Sequence, residues 1–359
     1  MSWSLTISFC VNRFKGKGIV MTGGGLSYFT TTYVNLRTIR DKHKCTLPIE
    51  VFYAGEEEMS KTMIEFMHVK FANVRFIDIM KQPVLEGLDM KGYQIKAFAI
   101  LLSSFKEVLF LDNDNHPISD PSVAFEFKGY KKTGAMFWHD KCIAHTAILE
   151  FWDVMGVPRP QQWPNDMQGL AAFTPTCNEH EPFELETGQI VLNKQRVWKA
   201  LMMTAFINRH YKYFFDHLVN DDKNTFALGF NSTDTMYSVS QHYQFSVGRA
   251  GLMPDGSLQS CMSTHAQRNP DTGDILFLHR STVKFDWGRL YTLQTKEPYR
   301  MWTHMSIQGP FSGYGLVFTG DSRVPQDVFI PGMRNTCLVP IGADLQLFPI
   351  GQEVWSIAR

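Results

Sequence analysis

Hydrophobic and polar positions along the first 140 residues follow two alternating periods, which predicts strands and helices in turn. Short apolar runs typical of buried strands are followed by stretches with apolar residues at helical spacing. The predicted strands are Gly18–Thr22, Ile49–Tyr53, Val74–Ile79, Val108–Leu111 and Lys132–Trp138. The predicted helices include the acid-started Glu56–Phe66 and the amphipathic Tyr93–Phe105. Strands separated by helices need crossover connections, so the pattern predicts an α/β fold with a mostly parallel sheet flanked by helices.

The rest of the chain is less regular. Ile190–Phe206 is predicted to be helical after a short strand. From about residue 290 onward, proline and glycine are frequent, the apolar runs are short and no helical period is present. This composition predicts a β-rich C-terminal extension over residues 291–359, appended to a nucleotide-binding α/β domain over residues 1–290.

An acidic pair follows the most apolar predicted strand. In the string LFLDNDN, Asp112 and Asp114 come directly after Val108–Leu111, and alternation places both carboxylates on one side of the chain. Ligands of parallel α/β sheets bind at the carboxyl ends of the strands. Two carboxylates there form a hard-oxygen site for Mg²⁺ or Mn²⁺, whose remaining positions phosphate oxygens can fill. A short Asp-x-Asp string is common by chance, and the buried strand in front of it favours metal binding over a solvated turn.

A metal site of this kind needs a third ligand, and histidine is a natural donor. His279 follows the apolar run Ile275–Leu278, so it is the first candidate, and Lys284 is close enough in sequence to pair with a diphosphate. A single histidine after a strand is more often structural than a ligand. His265 and His116 are the competing candidates.

Composition and charge narrow the possible partners. The 359 residues are 44% hydrophobic and 19% charged, with a formal net charge of zero, so no long-range field attracts nucleic acid. No apolar stretch approaches the roughly 18–20 residues of a transmembrane helix. The N-terminus has no signal-peptide pattern. Since disulfides are typical of secreted proteins, the six scattered cysteines are predicted to be free thiols. The glycine run Gly23–Gly25 lacks the GxGxxG spacing of a dinucleotide-binding dehydrogenase.

An ordered series of strings resembles a known family. The strings are GIVMTGGG, LPIEVFYAG, YQIKAFAILLSSFKEVLFLDNDNHPISDP, TGAMFW, ELETGQIVLNKQRVWKALM, DDKNTFALGF and DILFLHR. Together they resemble the fungal α-mannosyltransferases of glycosyltransferase family 71, over about residues 16–285. The resemblance implies a GT-A-type, Rossmann-like domain and a retaining transferase that depends on Mn²⁺ or Mg²⁺. The implied donor is GDP-mannose or a UDP-sugar, and the implied acceptor is a glycan or glycoprotein.

The resemblance also implies roles for individual residues. Asp112, Asp114 and His279 would bind the metal. The residues bordering the nucleotide sugar would be Thr22, Gly23, Gly24, Gly25, Tyr28, Lys96 and Asn113. For Lys96, the alternative is an ordinary solvated helix lysine. The residues near the reacting sugar would be Glu186, Gln189 and Asp222, and whether Glu186 or Asp222 acts as a nucleophile is left open.

Two departures from the family pattern bear on function. Asn224 stands where the family pattern leads us to expect aspartate, so any charged role there falls on Asp222 or Glu186. Family members usually carry a membrane anchor; its absence predicts a cytoplasmic, virus-type member, or a Golgi-lumen enzyme if the chain is a trimmed form. The alternative functions are a nucleotide-sugar hydrolase, a nucleotidyltransferase, or a non-catalytic carbohydrate-binding relative. A broken metal motif would mark the last of these, and LDNDN is intact.

Overall fold

A central sheet of seven strands organises the chain. The computed structural model describes residues 14–88, 92, 94–140, 149–157, 185–214, 222–242, 244–256, 258–280, 304–307, 313–318, 336–341 and 346–349. The strands of the central sheet, in chain order, are β1 (Lys17–Thr22), β2 (Ile49–Tyr53), β3 (Val74–Asp78), β4 (Glu107–Leu111), β6 (Ala135–His139), β7 (Leu185–Asn193) and β8 (Ser238–Val239). Their spatial order is β3-β2-β1-β4-β7-β6-β8. Four of the neighbouring pairs are parallel, and β7 runs antiparallel to both β4 and β6.

Helices cover both faces of this sheet. They are α1 (Gly25–Arg37), α2 (Lys61–Lys70), α3 (Gln94–Leu102), α4 (Lys128–Thr133), α5 (Leu149–Met155), α6 (Trp198–Arg209), α7 (Tyr211–Phe214) and α8 (Asp222–Ser232). Alternate residues of each strand enter two separate cores: Val20 and Phe110 pack with α3, α6 and α8, while Met21 and Leu111 pack with α1 and α2. The predicted α/β class is therefore confirmed. No helix within the described ranges is long and apolar enough to cross a membrane.

A second sheet is antiparallel and contains eight strands. They are β5 (Asn115–Pro117), β9 (Phe245–Leu252), β10 (Leu258–Arg268), β11 (Ile275–His279), β12 (His304–Ile307), β13 (Gly313–Phe318), β14 (Thr336–Ile341) and β15 (Gln346–Pro349). The main path is β13-β14-β10-β9-β12-β15, and β11 joins β10 to β5. The described parts of residues 291–359 are all strands, which confirms the β-rich C-terminal region, and the domain boundary at residue 290 stays a prediction.

Three predicted elements were wrong in their bounds. The predicted strand Lys132–Trp138 begins only at Ala135, because Lys132 and Thr133 are the last residues of α4, which ends at Gly134 with φ +86°. The predicted helix Glu56–Phe66 begins only at Lys61, because the Ser60 hydroxyl caps it by accepting a hydrogen bond from the Met63 amide at 3.3 Å. The Glu58 carboxylate instead accepts from the Ala54 amide at 2.8 Å and holds the preceding loop. The first part of the predicted helix Ile190–Phe206 is strand β7, and the helix in this region, α6, begins at Trp198.

Gly229 marks a close crossing of α6 and α8. A Cβ atom at this position would contact the Thr204 hydroxyl and lie 2.9 Å from the Ala200 carbonyl oxygen. Alanine is a better helix former than glycine by about 1 kcal/mol, but overpacking typically costs about 1–3 kcal/mol. We expect Gly229→Ala to lower the free energy of unfolding by about 1–2 kcal/mol, measured by urea denaturation. Adding Thr204→Ala should recover part of this loss, and a more stable Gly229→Ala protein would contradict the packing argument.

Candidate metal and donor site

The acidic pair lies where β4 leaves the central sheet. Leu111 is opposite Met21 of β1 and Gln189 of β7, so the next residue, Asp112, emerges between these two neighbours. The Asp112 amide still donates to the Gly188 carbonyl oxygen at 2.8 Å. The side chain of Asn35, from α1, donates to the Asn115 carbonyl oxygen at 2.8 Å and fixes the turn from the other side. A backbone hydrogen bond on one flank and a side-chain hydrogen bond on the other therefore hold the pair in place.

Three predicted metal ligands converge at this turn. β11 pairs with β5 so that His279 is opposite Asn115, one residue beyond Asp114. The Nε2 atom of His279 lies 3.3 Å from an Asp114 carboxylate oxygen. One donor atom from each of Asp112, Asp114 and His279 lies within 4.8 Å of the others. Two carboxylates and an imidazole at this spacing fit Mn²⁺ or Mg²⁺, with positions left for further oxygen ligands.

The electrostatics of His279 agree with a cation at this point. Burial lowers the pKa of the imidazole, but the carboxylates of Glu186 and Asp114 outweigh burial and raise that pKa well above its ordinary value. The two carboxylates therefore favour positive charge at this ring, and a divalent cation bound to the neutral imidazole would supply such a charge.

Lys96 is part of the same arrangement. Its side chain is buried in α3, and its Nζ lies 3.1 Å from an Asp112 carboxylate oxygen. The same ammonium donates at 3.0 Å to both the carbonyl and the hydroxyl of Thr187. The solvated-lysine alternative is wrong, because only 6% of Lys96 is exposed. Its contact with a donor sugar stays a prediction.

The glycine turn lies at the same edge of the sheet. Thr22 ends β1, and the Gly23 amide donates to the Phe52 carbonyl oxygen at 2.8 Å. Gly24 has φ 149°, and a Cβ atom there would lie 2.5 Å from a Glu58 carboxylate oxygen. Its neighbour Gly25 has φ +69° and begins α1. The turn therefore needs glycine for its own packing. Contact of the turn with a nucleotide stays a prediction, and so does contact of Tyr28, which is 44% exposed on α1.

The remaining predicted site residues fall into two groups. Glu186, Gln189 and Asn113 are buried near the acidic turn, and the Gln189 carboxamide oxygen accepts from the Asn115 side chain at 2.5 Å. Asp222 begins α8, but its side chain lies outside the described part of the chain, as does all of Lys284. Asn224 is buried in α8, and its amide nitrogen has no hydrogen-bond partner among the described residues. The roles of all these residues stay predictions.

Sequence reasoning missed a second cluster beside the first. Donor atoms of Asp140, Glu186 and His265 lie within 4.8 Å of one another. His265 is opposite His279 in the β10–β11 pair, and its Nδ1 lies 2.7 Å from the Gln244 carboxamide oxygen. The other competing histidine, His116, is opposite Leu278, and burial lowers its pKa to about 3.

Gly188, whose carbonyl oxygen accepts from the Asp112 amide, was not predicted as a site residue, although the sequence contains a signal for it. Glycine inside a strand marks a close approach of another group, and Gly188 is inside β7. Thr187 and Asp140 had no comparable signal.

A family model and several curated mannosyltransferases match this chain. The family model Mannosyl_trans3, described as "Mannosyltransferase putative", matches residues 16–269. The chain is 25% identical over 274 residues to the α-1,2-mannosyltransferase MNN5 of Saccharomyces cerevisiae, covering 65% of this chain and 46% of MNN5. It is 28% identical over 286 residues to the α-1,2-mannosyltransferase MNN22 of Candida albicans, covering 72% of this chain and 48% of MNN22. The chain thus spans about half the length of the curated relatives it matches.

Similar solved structures are more distant. The galactosyltransferase LgtC, in complex with donor and acceptor sugar analogues, has a TM-score of 0.38 at 14% identity, over 62% of this chain and 73% of LgtC. Mouse xyloside xylosyltransferase 1 has a TM-score of 0.37 at 13% identity, over 63% of this chain and 86% of the mouse chain.

Proposed function

The chain belongs to the mannosyltransferase family whose model spans residues 16–269, and on that premise we propose that it is a metal-dependent, retaining glycosyltransferase. It transfers a mannose-like hexose from a nucleotide sugar, with GDP-mannose as the first candidate donor, to a glycan or glycoprotein acceptor. The observation that carries the proposal is the convergence of Asp112, Asp114 and His279 at the carboxyl end of β4. This is the edge at which α/β sheets bind nucleotides.

Each residue at this edge has a proposed task. Asp112, Asp114 and His279 hold Mn²⁺ or Mg²⁺, which when bound supplies positive charge against the departing diphosphate. Lys96 fixes the Asp112 carboxylate through the 3.1 Å ion pair.

The donor and the reacting sugar are assigned to two further sets of residues. The turn Thr22–Gly25, with Tyr28 and Asn113, borders the nucleotide, and Lys284 pairs with the diphosphate. Gln189 and Asp222 lie beside the sugar, where Asp222 provides the carboxylate that stabilises the oxocarbenium-like transition state.

A donor panel tests the proposal. We expect GDP-mannose with Mn²⁺ to raise the melting temperature more than either component alone, because a ligand at 100 times its Kd stabilises by about 2.7 kcal/mol. With mannoside acceptors, mass spectrometry should then show a product one hexose heavier. If no nucleotide sugar stabilises the protein in the presence of metal, the proposed donor site is wrong.

The same assay separates the alternative functions. A hydrolase would release free hexose without an acceptor, and a nucleotidyltransferase would form or consume a sugar phosphate. A non-catalytic carbohydrate-binding relative would be stabilised by glycans and show no turnover.

A further inference from the structure

Glu186 lies behind the metal-binding histidine, away from solvent. It is on β7, opposite Trp138 of β6, and only 2% of the residue is exposed. One carboxylate oxygen, Oε1, lies 3.2 Å from Nδ1 of His279 and accepts a hydrogen bond from the Gly188 amide at 2.6 Å. We propose that Glu186 is a positioning residue that orients His279 toward the metal, an inference that rests on the proposed metal-dependent function.

The two nitrogens of His279 face different partners. Nε2 faces Asp114, a member of the acidic pair, at 3.3 Å, whereas Nδ1 faces Glu186. When one imidazole nitrogen binds a metal, the other carries the proton and donates it to a carboxylate or carbonyl oxygen that fixes the tautomer and the ring plane. Nδ1 has no hydrogen-bond partner among the described residues, but Glu186 Oε1 lies 3.2 Å from it and would accept that hydrogen bond once the ring turns to align its N–H. The Nε2 atom then faces the site formed by Asp112 and Asp114.

Gly188 makes this contact possible. A Cβ atom at position 188 would lie 2.6 Å from His279 Nδ1 and 2.9 Å from Glu186 Oε1, inside the space where the two side chains meet. Any larger residue would therefore push the imidazole or the carboxylate away. The amide of Gly188 holds Oε1, so the same residue both leaves room for the pair and fixes its acceptor.

The segment Glu186–Gly188 supports both halves of the metal site. Thr187 accepts two hydrogen bonds from Lys96, whose ammonium pairs with Asp112, and Gly188 accepts the backbone hydrogen bond of Asp112. Glu186 meets His279. Three consecutive residues of β7 thus orient one ligand from the turn after β4 and one from β11.

This position disagrees with a nucleophilic role for Glu186. A nucleophile must reach the anomeric carbon of a bound sugar, but the Oε1 atom of Glu186 is directed to His279 and Gly188. The carboxylate is also part of the buried cluster with Asp140 and His265. The two roles predict different behaviour, because a positioning carboxylate acts on metal affinity and a nucleophile acts on turnover.

The test measures Mn²⁺ binding by electron paramagnetic resonance on the full chain, without donor or acceptor. We expect Glu186→Gln to weaken Mn²⁺ binding about 10–100-fold, as replacement of outer-shell partners of metal-binding histidines typically does. Turnover should recover as Mn²⁺ is raised. Glu186→Asp, which keeps the charge, should lie between the wild type and Glu186→Gln, and Gly188→Ala should weaken binding in the same direction.

Glu50→Gln is the matched control. Glu50 is an equally buried carboxylate, on β2, bonded to Arg75 at 3.1 Å and to the Ser104 hydroxyl at 2.6 Å. Its loss should lower stability and leave the Kd for Mn²⁺ unchanged. The inference would be overturned in favour of a nucleophile by two results together. Folded Glu186→Gln or Glu186→Asp would bind Mn²⁺ as tightly as the wild type, and its turnover would stay low even at high Mn²⁺. Failure of the wild-type protein to bind Mn²⁺ would instead refute the proposed metal function itself.

Discussion

Replacement of Asp114 by asparagine is expected to lower kcat/KM by about 10²–10⁴-fold. Each factor of ten is 1.36 kcal/mol, so this is a loss of about 2.7–5.4 kcal/mol of transition-state stabilisation. The substitution keeps the shape of the side chain and removes the charge that faces Nε2 of His279 at 3.3 Å. A neutral amide is a weaker ligand for a hard cation than a carboxylate. The measurement is the initial rate of hexose transfer from GDP-mannose at several Mn²⁺ concentrations.

A surface aspartate provides the control for this loss. Asp41 forms an exposed ion pair with Arg37 one helical turn away, and Asp41→Asn should leave activity within twofold. The melting temperature of both variants should be recorded, so that loss of folding is separated from loss of chemistry. If folded Asp114→Asn keeps activity near that of Asp41→Asn, the acidic pair does not hold a catalytic metal.

The parts of the site that could be predicted from the sequence are those with a local signal. The apolar run Val108–Leu111 predicts a buried strand, and the acidic pair comes at its end, where α/β sheets bind ligands. His279 likewise follows the apolar run of β11. The structure places these three side chains together because β5, which directly follows the acidic pair, aligns with β11.

The partners of these residues could not be predicted, because they depend on packing between distant elements. Lys96 meets Asp112 only because α3 packs against the central sheet with its lysine turned inward. Glu186 meets His279 only because β7 enters the sheet antiparallel beside β4. The period of apolar residues in a sequence predicts neither the order of strands in a sheet nor the direction of a long side chain such as that of Lys96 or Glu186.

Two of the three predicted elements with wrong bounds have causes that the sequence pattern does not show. β7 is buried on both faces, and a continuous apolar run such as Ile190–Leu192 does not distinguish a central strand from a buried helix. At the other element, acidic residues favoured a helix start at Glu56, but the Glu58 carboxylate binds a loop amide and Ser60 supplies the cap. Local hydrogen bonds thus set the start of the helix at Lys61, and burial on both faces made the strand β7 look like a helix.

Lys194 shows how the fold beneath the site depends on one buried cation. Helix α3 ends at Leu102, and its last carbonyl groups receive no hydrogen bond from N–H groups of the helix itself. The Lys194 ammonium donates to the carbonyl oxygens of Ile100, Leu101 and Ser103 at 3.2, 3.3 and 2.7 Å. It thereby caps from a distance the helix that carries Lys96.

Lys194→Met is expected to lower the free energy of unfolding by about 3 kcal/mol, because hydrogen bonds to charged groups are worth about 1.5–3 kcal/mol and the Leu101 and Ser103 carbonyl oxygens would lose their charged donor. The Ile100 carbonyl oxygen would keep the hydrogen bond from the Ser103 hydroxyl. Methionine keeps much of the lysine stem, so the loss is assigned to the ammonium. Urea denaturation gives the measurement, and Lys199→Met, at an exposed position five residues later, should change stability by less than about 0.5 kcal/mol. Equal stability of the two variants would show that water, or another donor, replaces the ammonium at the end of α3. A large loss confined to Lys194→Met would show that α3, the helix that carries Lys96, is stabilised by Lys194, the residue that directly follows β7.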